Sequence, residues 1–135
     1  MKAYARMMAI LVTTMGLMAP RAGAQQVREI QMVSDGDGGF AFSPSSVTAK
    51  RGDVLLFRAA SGSPHSVVFE GKGLSPAAQQ AINGAMPRRA GDLSSPLLKE
   101  GAEYRVVVPA LPAGSYKFFC LPHRAYDMRG VLTVE

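Results

Sequence analysis

From residue 27 onward, apolar and polar residues alternate in short runs, and glycine or proline interrupts nearly every run. Alternation puts successive side chains on opposite faces of a strand. "VREIQMV" (27–33) predicts a first strand, ended by "SDGDGGF". "FSPSSVTAKRGD" predicts a short strand around Val47 and a turn at Arg51-Gly52-Asp53. In "VLLFRAA" (54–60) Arg58 is assigned to solvent, which turns Leu55 and Phe57 inward. "SGSP" reads as a turn, and "HSVVFEG" as a strand with His65, Val67 and Phe69 on one face. "EYRVVVPA" (103–110) sets Tyr104, Val106 and Val108 opposite Arg105, and "SYKFFC" and "GVLTVE" complete the strands.

One segment breaks the period. "LSPAAQQAINGAMP" has Ser75 as an N-cap, Pro76 at the first helical position and Gly84 as a stop. It predicts a short helix across one end of the fold, followed by a loop, "MPRRAGDLSSP". Several short strands with glycine and proline between them predict an all-β sandwich or barrel. The chain carries no repeat and no low-complexity tract.

The first residues read differently. Lys2 and Arg6 precede an apolar run, Met7–Ala19, which ends at Pro20 and Ala22-Gly23-Ala24. This is the layout of a secretory signal peptide over 1–24, and the run is shorter than the roughly 20 residues of a spanning helix. One mature domain, 25–135, is expected outside the cytoplasm, periplasmic or otherwise extracytoplasmic, without stable membrane insertion. The formal net charge of +5 owes three positive charges to Lys2, Arg6 and Arg21. Without them, twelve basic residues face ten acidic ones. So weak a surplus gives no case for nucleic-acid binding, which usually shows a clustered basic patch.

Export sharpens the meaning of the single cysteine. Exported thiols usually pair, and Cys120 has no partner in its own chain. It is an inert buried thiol, an intermolecular link, a nucleophile or a metal ligand. "CLPHRAYDM" follows a strand whose Tyr116 and Phe118 share the parity of Cys120. Pro122 forces a turn that folds His123 back toward the sulfur, and Met128 closes the loop before Gly130. His65 alone would read as a core histidine. Yet the whole supply of Cys and His, with one Met, makes the pattern of a His2Cys trigonal site with a weak axial Met, diagnostic of blue copper electron transfer.

"PHSVVF" together with "YKFFCLPHRAYDMRGVLTVE" resembles the cupredoxin (type 1 blue copper) family, in its plastocyanin and pseudoazurin branch. "FSPSSVTAKRGDVLLF" resembles the family's early strands. The likeness spans most of 27–135. It implies a Greek-key β-sandwich of about seven or eight strands with one short helix, and one type 1 copper ion on His65, Cys120, His123 and Met128. It also implies a monomer exchanging single electrons with transient redox partner proteins, not an enzyme. Two departures stand out. Ser66 replaces the family's usual Asn, whose part in pinning two ligand loops a hydroxyl can also play. The segment 72–96 does not align. His123, following a proline in a turn, is expected near the surface, and His65 deeper.

The remaining signals are weaker. "DGDGG" (35–39) lacks the terminal glutamate of a calcium loop and reads as a turn. Arg88 and Arg89 fit a solvated loop, and Arg124 and Arg129 flank the ligand loop as candidates for steering a partner. Copper storage or delivery would use the same ligands, although delivery sites favour open methionine-rich or dithiolate sets. A Cys-His hydrolase needs an activated thiolate, and structural zinc prefers sites without thioether.

Overall fold

The computed structural model describes residues 23–135; the predicted leader lies outside the described residues except for Gly23 and Ala24. Eight strands and one helix follow in the order β1 (Val27–Ser34), β2 (Phe40–Ser43), β3 (Ser46–Ala49), β4 (Val54–Ala59), β5 (Val68–Phe69), α1 (Pro76–Ala85), β6 (Glu103–Val107), β7 (Gly114–Phe119) and β8 (Arg129–Val134). They form two four-stranded sheets, β2-β1-β4-β6 and β3-β8-β7-β5. Both are mixed: β1 runs parallel to β4 with Ile30 opposite Phe57, and β3 parallel to β8 with Val47 opposite Leu132. This is the all-β sandwich with one short helix that the alternation predicts. No helix among the described residues is long and apolar enough to cross a membrane.

Period-two burial is plainest in β6, where Tyr104 and Val106 are buried while Glu103, Arg105 and Val107 are exposed. In β4 the predicted inward residues Leu55 and Phe57 are fully buried. Leu56 is buried too, on the other face, between the long side chains of Glu29 and Arg105 in register. Arg58 faces out and pairs with Glu29 and Glu103. The two inner faces meet around Phe118, whose ring packs edge-on against Phe42, Phe57 and Phe69 at 4.9, 5.5 and 5.8 Å. Gly130 on β8 makes room for it: a Cβ there would stand 2.3 Å from the Phe118 ring. The most constrained part of the core thus lies two residues before Cys120.

Three elements differ from expectation. The strand predicted from His65 shrinks to Val68–Phe69, because its partner β7 ends at Phe119, opposite Val68, and Cys120 N turns to Met128 O; Ser94 and Ser95, past the helix, return to pair with Val68 and Val67. The helix has its Ser75 cap, with Oγ accepting from Ala78 N at 3.1 Å, but it runs through Gly84 to Ala85. It also lies along the side of the sandwich rather than across an end. Its first turn sits beside the Pro112–Tyr116 turn, and the residue after its C-cap, Pro87, receives the Tyr104 hydroxyl at 2.8 Å. Finally, β2 begins at Phe40, where only a break is predicted.

Candidate metal centre

The C-terminal ends of β4 and β7 and the beginnings of β2 and β8 meet at one end of the sandwich. His65 enters this end from the β4–β5 connection. Its backbone is held by a two-bond bridge, N to Leu98 O at 3.0 Å and O from Leu98 N at 2.8 Å. Its ring is held as well: Nε2 lies 2.6 Å from the Ser61 carbonyl. A carbonyl only accepts, so Nε2 carries the hydrogen, and the neutral ring presents a bare lone pair at Nδ1. Ser61 is itself fixed, its hydroxyl accepting from Ser34 N at 3.0 Å.

The other residues come from one loop. Cys120 N donates to Met128 O at 3.0 Å, which closes the loop at its base. Inside it, the chain turns at Pro122, makes a single 3-10 turn over Arg124–Tyr126, and passes through the left-handed region at Asp127 (φ 59°). Met128 N then bonds back to His123 O at 3.4 Å. Cys120 Sγ lies 3.7 Å from His65 Nδ1 and 3.5 Å from His123 Nδ1. All three donor atoms fall within 4.8 Å of one another. Sulfur and nitrogen ligands about 2.3 and 2.0 Å from a common ion stand about 3.5–3.8 Å apart at tetrahedral to trigonal angles. The spacing therefore fits an ion held between them. Met128, on the same loop, is fully buried.

The tautomer of His65 points the same way. His65 aims a bare nitrogen at the sulfur, and His123 Nδ1 also stands beside the sulfur. A cation between them would be shared by all three donor atoms. Burial pushes the Cys120 thiol above its ordinary range, opposed by the Ser66 N–H, which lies 3.4 Å from the sulfur. Burial likewise holds His123 below the ordinary histidine range, and the nearby His65 adds to the effect. A protonated thiol that must release its hydrogen makes metal uptake proton-linked. It is also the reverse of what a nucleophilic cysteine requires. Ser66 ties the two loops together, its hydroxyl accepting from Leu121 N at 3.0 Å.

One residue of this centre escaped the sequence reading. The ring of Phe40 is stacked on His123, centroids 3.6 Å apart and planes 11° from parallel, and the exposed Tyr126 meets Phe40 edge-on at 5.0 Å. His123 is accordingly only 8% exposed, against the expected surface position; His65 is 0% exposed, as expected. Phe40 shares the parity of Phe42, which marks an inward face, but nothing local ties it to a histidine more than eighty residues away.

The charged candidates divide. Arg129 is bound to Glu70 at 3.0 Å and Asp127 at 2.8 Å. Arg124 has no carboxylate partner among the described residues, and its guanidinium lies 4.8 Å from the centre of the Phe119 ring. The "DGDGG" stretch is a turn in which Asp35 accepts from the backbone of Asp37 and Gly39.

Known proteins resemble this chain in sequence and fold. Residues 29–135 match the model of the copper binding proteins, plastocyanin/azurin family. Plastocyanin A/B of Petroselinum crispum is 36% identical over 107 residues, 79% of this chain and 99% of that protein. Plastocyanin of Vicia faba is 38% identical over 99 residues, 73% and 92% of the two chains. The oxidised plastocyanin of Dryopteris crassirhizoma superposes with a TM-score of 0.64 at 25% identity, covering 80% of this chain and all of that one. With that likeness reaching from β1 to the final residue, and a Cys-His-His donor group at its centre, the chain belongs to the plastocyanin/azurin family of copper binding proteins.

Proposed function

We infer that this protein is a one-electron carrier that holds one copper ion on His65, Cys120, His123 and Met128. It acts outside the cytoplasm, between larger redox proteins. The observation that carries this reading is the aim of two imidazole nitrogens at one buried sulfur, at 3.7 and 3.5 Å. Membership of a copper-binding family supports it.

Bound copper would supply the redox couple; the chain supplies a frame that changes little when the charge changes. The Ser61 carbonyl keeps the His65 tautomer fixed. Phe40 restrains the plane of the His123 ring. Ser66 holds the two loops at one spacing through Leu121, while its N–H reaches the sulfur. Phe118, wedged among three other rings, fixes the end of the strand that delivers Cys120. Thioether and thiolate suit Cu(I), and imidazole serves either state. Copper delivery is less well supported, since the donor residues are 0–8% exposed and transfer to an acceptor needs an open site.

The test is the visible spectrum of purified protein titrated with Cu(II). One equivalent is expected to give an intense band in the red that ascorbate bleaches and Cys120→Ser abolishes. A colourless complex, or a preference for zinc, would exclude this reading.

A further inference from the structure

The strands whose C-terminal ends lead to the metal centre begin at the far end of the sandwich, β4 at Val54 and β7 at Gly114. Three segments meet there on Gly52. Its N–H donates to Val108 O at 2.9 Å, and its carbonyl accepts from Gln25 Nε2 at 2.7 Å. Beside it, Val108 N donates to Asp53 O at 2.8 Å. These bonds join the β6–β7 connection, the turn before β4 and the entry to β1 into one end of the molecule.

The β6–β7 connection is apolar: "VVVPALPAGS" (106–115) holds no charged residue. Val107 is 48% exposed, and Ala110, Pro112 and Ala113 are exposed as well. Val27, 52% exposed, stands in register with Val107 across Val54. Two prolines restrict the backbone of this turn, and the Tyr116 hydroxyl donates to Pro112 O at 2.7 Å. A surface that covers the turn therefore has little chain to order.

The other two segments are basic. Arg28, Lys50 and Arg51 are exposed around one cavity, with no ion-pair partner among the described residues. Asp53 lines the same cavity, but it is buried and both its carboxylate oxygens are engaged, by Gln26 N and Lys50 N. Of the nearby exposed carboxylates, Glu29 is bound to Arg58, and Glu135 stands at the rim, its N–H on Ala49 O. Gly23 and Ala24, the last residues of the predicted leader, also line the cavity. During the predicted export, this end is the one beside the bilayer.

We propose that this end is a peripheral contact for an anionic phospholipid bilayer. Val107 and the turn 110–113 enter the interfacial layer, while Arg28, Lys50 and Arg51 meet the headgroup phosphates. The metal centre then points away from the bilayer. Three cations and a short apolar turn give a reversible association, far weaker than the insertion of a spanning helix.

The test sediments the exported, copper-free protein, its first residue read by mass spectrometry, with phosphatidylcholine vesicles that contain or lack an equal part of phosphatidylglycerol. Binding is expected only with phosphatidylglycerol, is expected to decline as salt rises, and is expected to weaken about fivefold in each of Arg28→Gln, Lys50→Gln and Arg51→Gln. Equal binding to neutral vesicles, as a retained leader would give, overturns the proposal. So does binding that the three replacements leave unchanged. Inorganic phosphate that displaces the protein better than chloride of equal ionic strength would make the cavity a small-anion site instead, and also overturns it. A second arm uses the absence of tryptophan from the chain. Ala113→Trp is expected to shift its emission to the blue on anionic vesicles, and Tyr126→Trp, at the metal end, to stay unchanged. The reverse pattern overturns the proposed orientation. Neither arm needs copper, so the electron-carrier reading stands or falls separately.

Discussion

The ring of Phe40 lies flat on the imidazole of His123, 3.6 Å between centroids. Two strands of different sheets thereby meet on one histidine: Phe40 opens β2, and His123 sits in the loop that joins β7 to β8. A stacked aromatic pair is worth about 0.5–1.5 kcal/mol beyond its burial, and the ring must break that contact to swing toward water. Burial holds the copper-free His123 below its ordinary value. Its folded-state pKa is therefore below the unfolded value of about 6.5. The associated stability is fully present above that pH and is lost as pH falls through the folded-state value. Phe40→Ala is expected to move the His123 midpoint upward in an NMR titration of the copper-free protein. An unchanged midpoint would show that the stack does not govern access to the ring.

Ser66→Ala removes the hydroxyl that receives Leu121 N but leaves the backbone N–H beside the sulfur. The red band is expected to persist. Stability is expected to fall by about 1–2 kcal/mol, since a partly buried donor loses its partner, as measured by urea unfolding of the copper-free protein. Loss of the band instead would mean that the hydroxyl places the thiol itself.

Met128→Leu is close to volume-conserving at a fully buried position, so the fold should tolerate it at a cost below about 1.5 kcal/mol. In the proposed role of a weak copper donor, the thioether would stabilise Cu(II) more than Cu(I). Its loss is expected to raise the reduction potential and keep the colour, readable by spectroelectrochemistry. Complete loss of copper would make Met128 a principal ligand and favour a copper-handling role.

Asp53 lies away from the metal centre and tests the fold alone. Its carboxylate accepts from Gln26 N at 2.9 Å and Lys50 N at 3.0 Å, tying the entry of β1 to the turn before β4. The Lys50 and Gln26 N–H bonds hold it below the ordinary carboxylate value. Its contribution is therefore complete above about pH 3.9 and disappears as pH falls through the lower folded-state value. Asp53→Asn is expected to lower stability at neutral pH and to flatten the acid limb of the stability curve, with the copper spectrum unchanged. An acid limb as steep as the parent's would assign that limb to other carboxylates.

Much of this architecture was legible because its causes are local. Alternation reports which face of a strand is dry, so Leu55, Phe57, Tyr104 and Val106 could be placed without coordinates. Ser75 and Pro76 announce a helix start through bonds made within one turn. Cys120, His123 and Met128 belong to one loop, so their spacing carries their geometry. What escaped depends on contacts distant in sequence. Phe40 reaches His123 across the sandwich, and the outer edge of β5 is paired by a segment that returns only after the helix. Gly84 misled because a glycine inside a helix costs only about 1 kcal/mol, which Ile82 and Met86, both buried, can offset. Arg129 could not be told from Arg124 until Glu70, from another strand's end, was seen to claim it.

The segment that returns after the helix matters for solubility as well as for position. Phe69 N donates to Leu93 O, and Ser95 N to Val67 O, so the outer edge of β5 is occupied by the chain itself. An open edge is an invitation to pair with the edge of another molecule. A carrier of the kind proposed works by repeated brief collisions, and every collision is a chance to aggregate. Closing this edge lets its apolar end meet many surfaces in succession without a neighbouring β-ladder to hold them there.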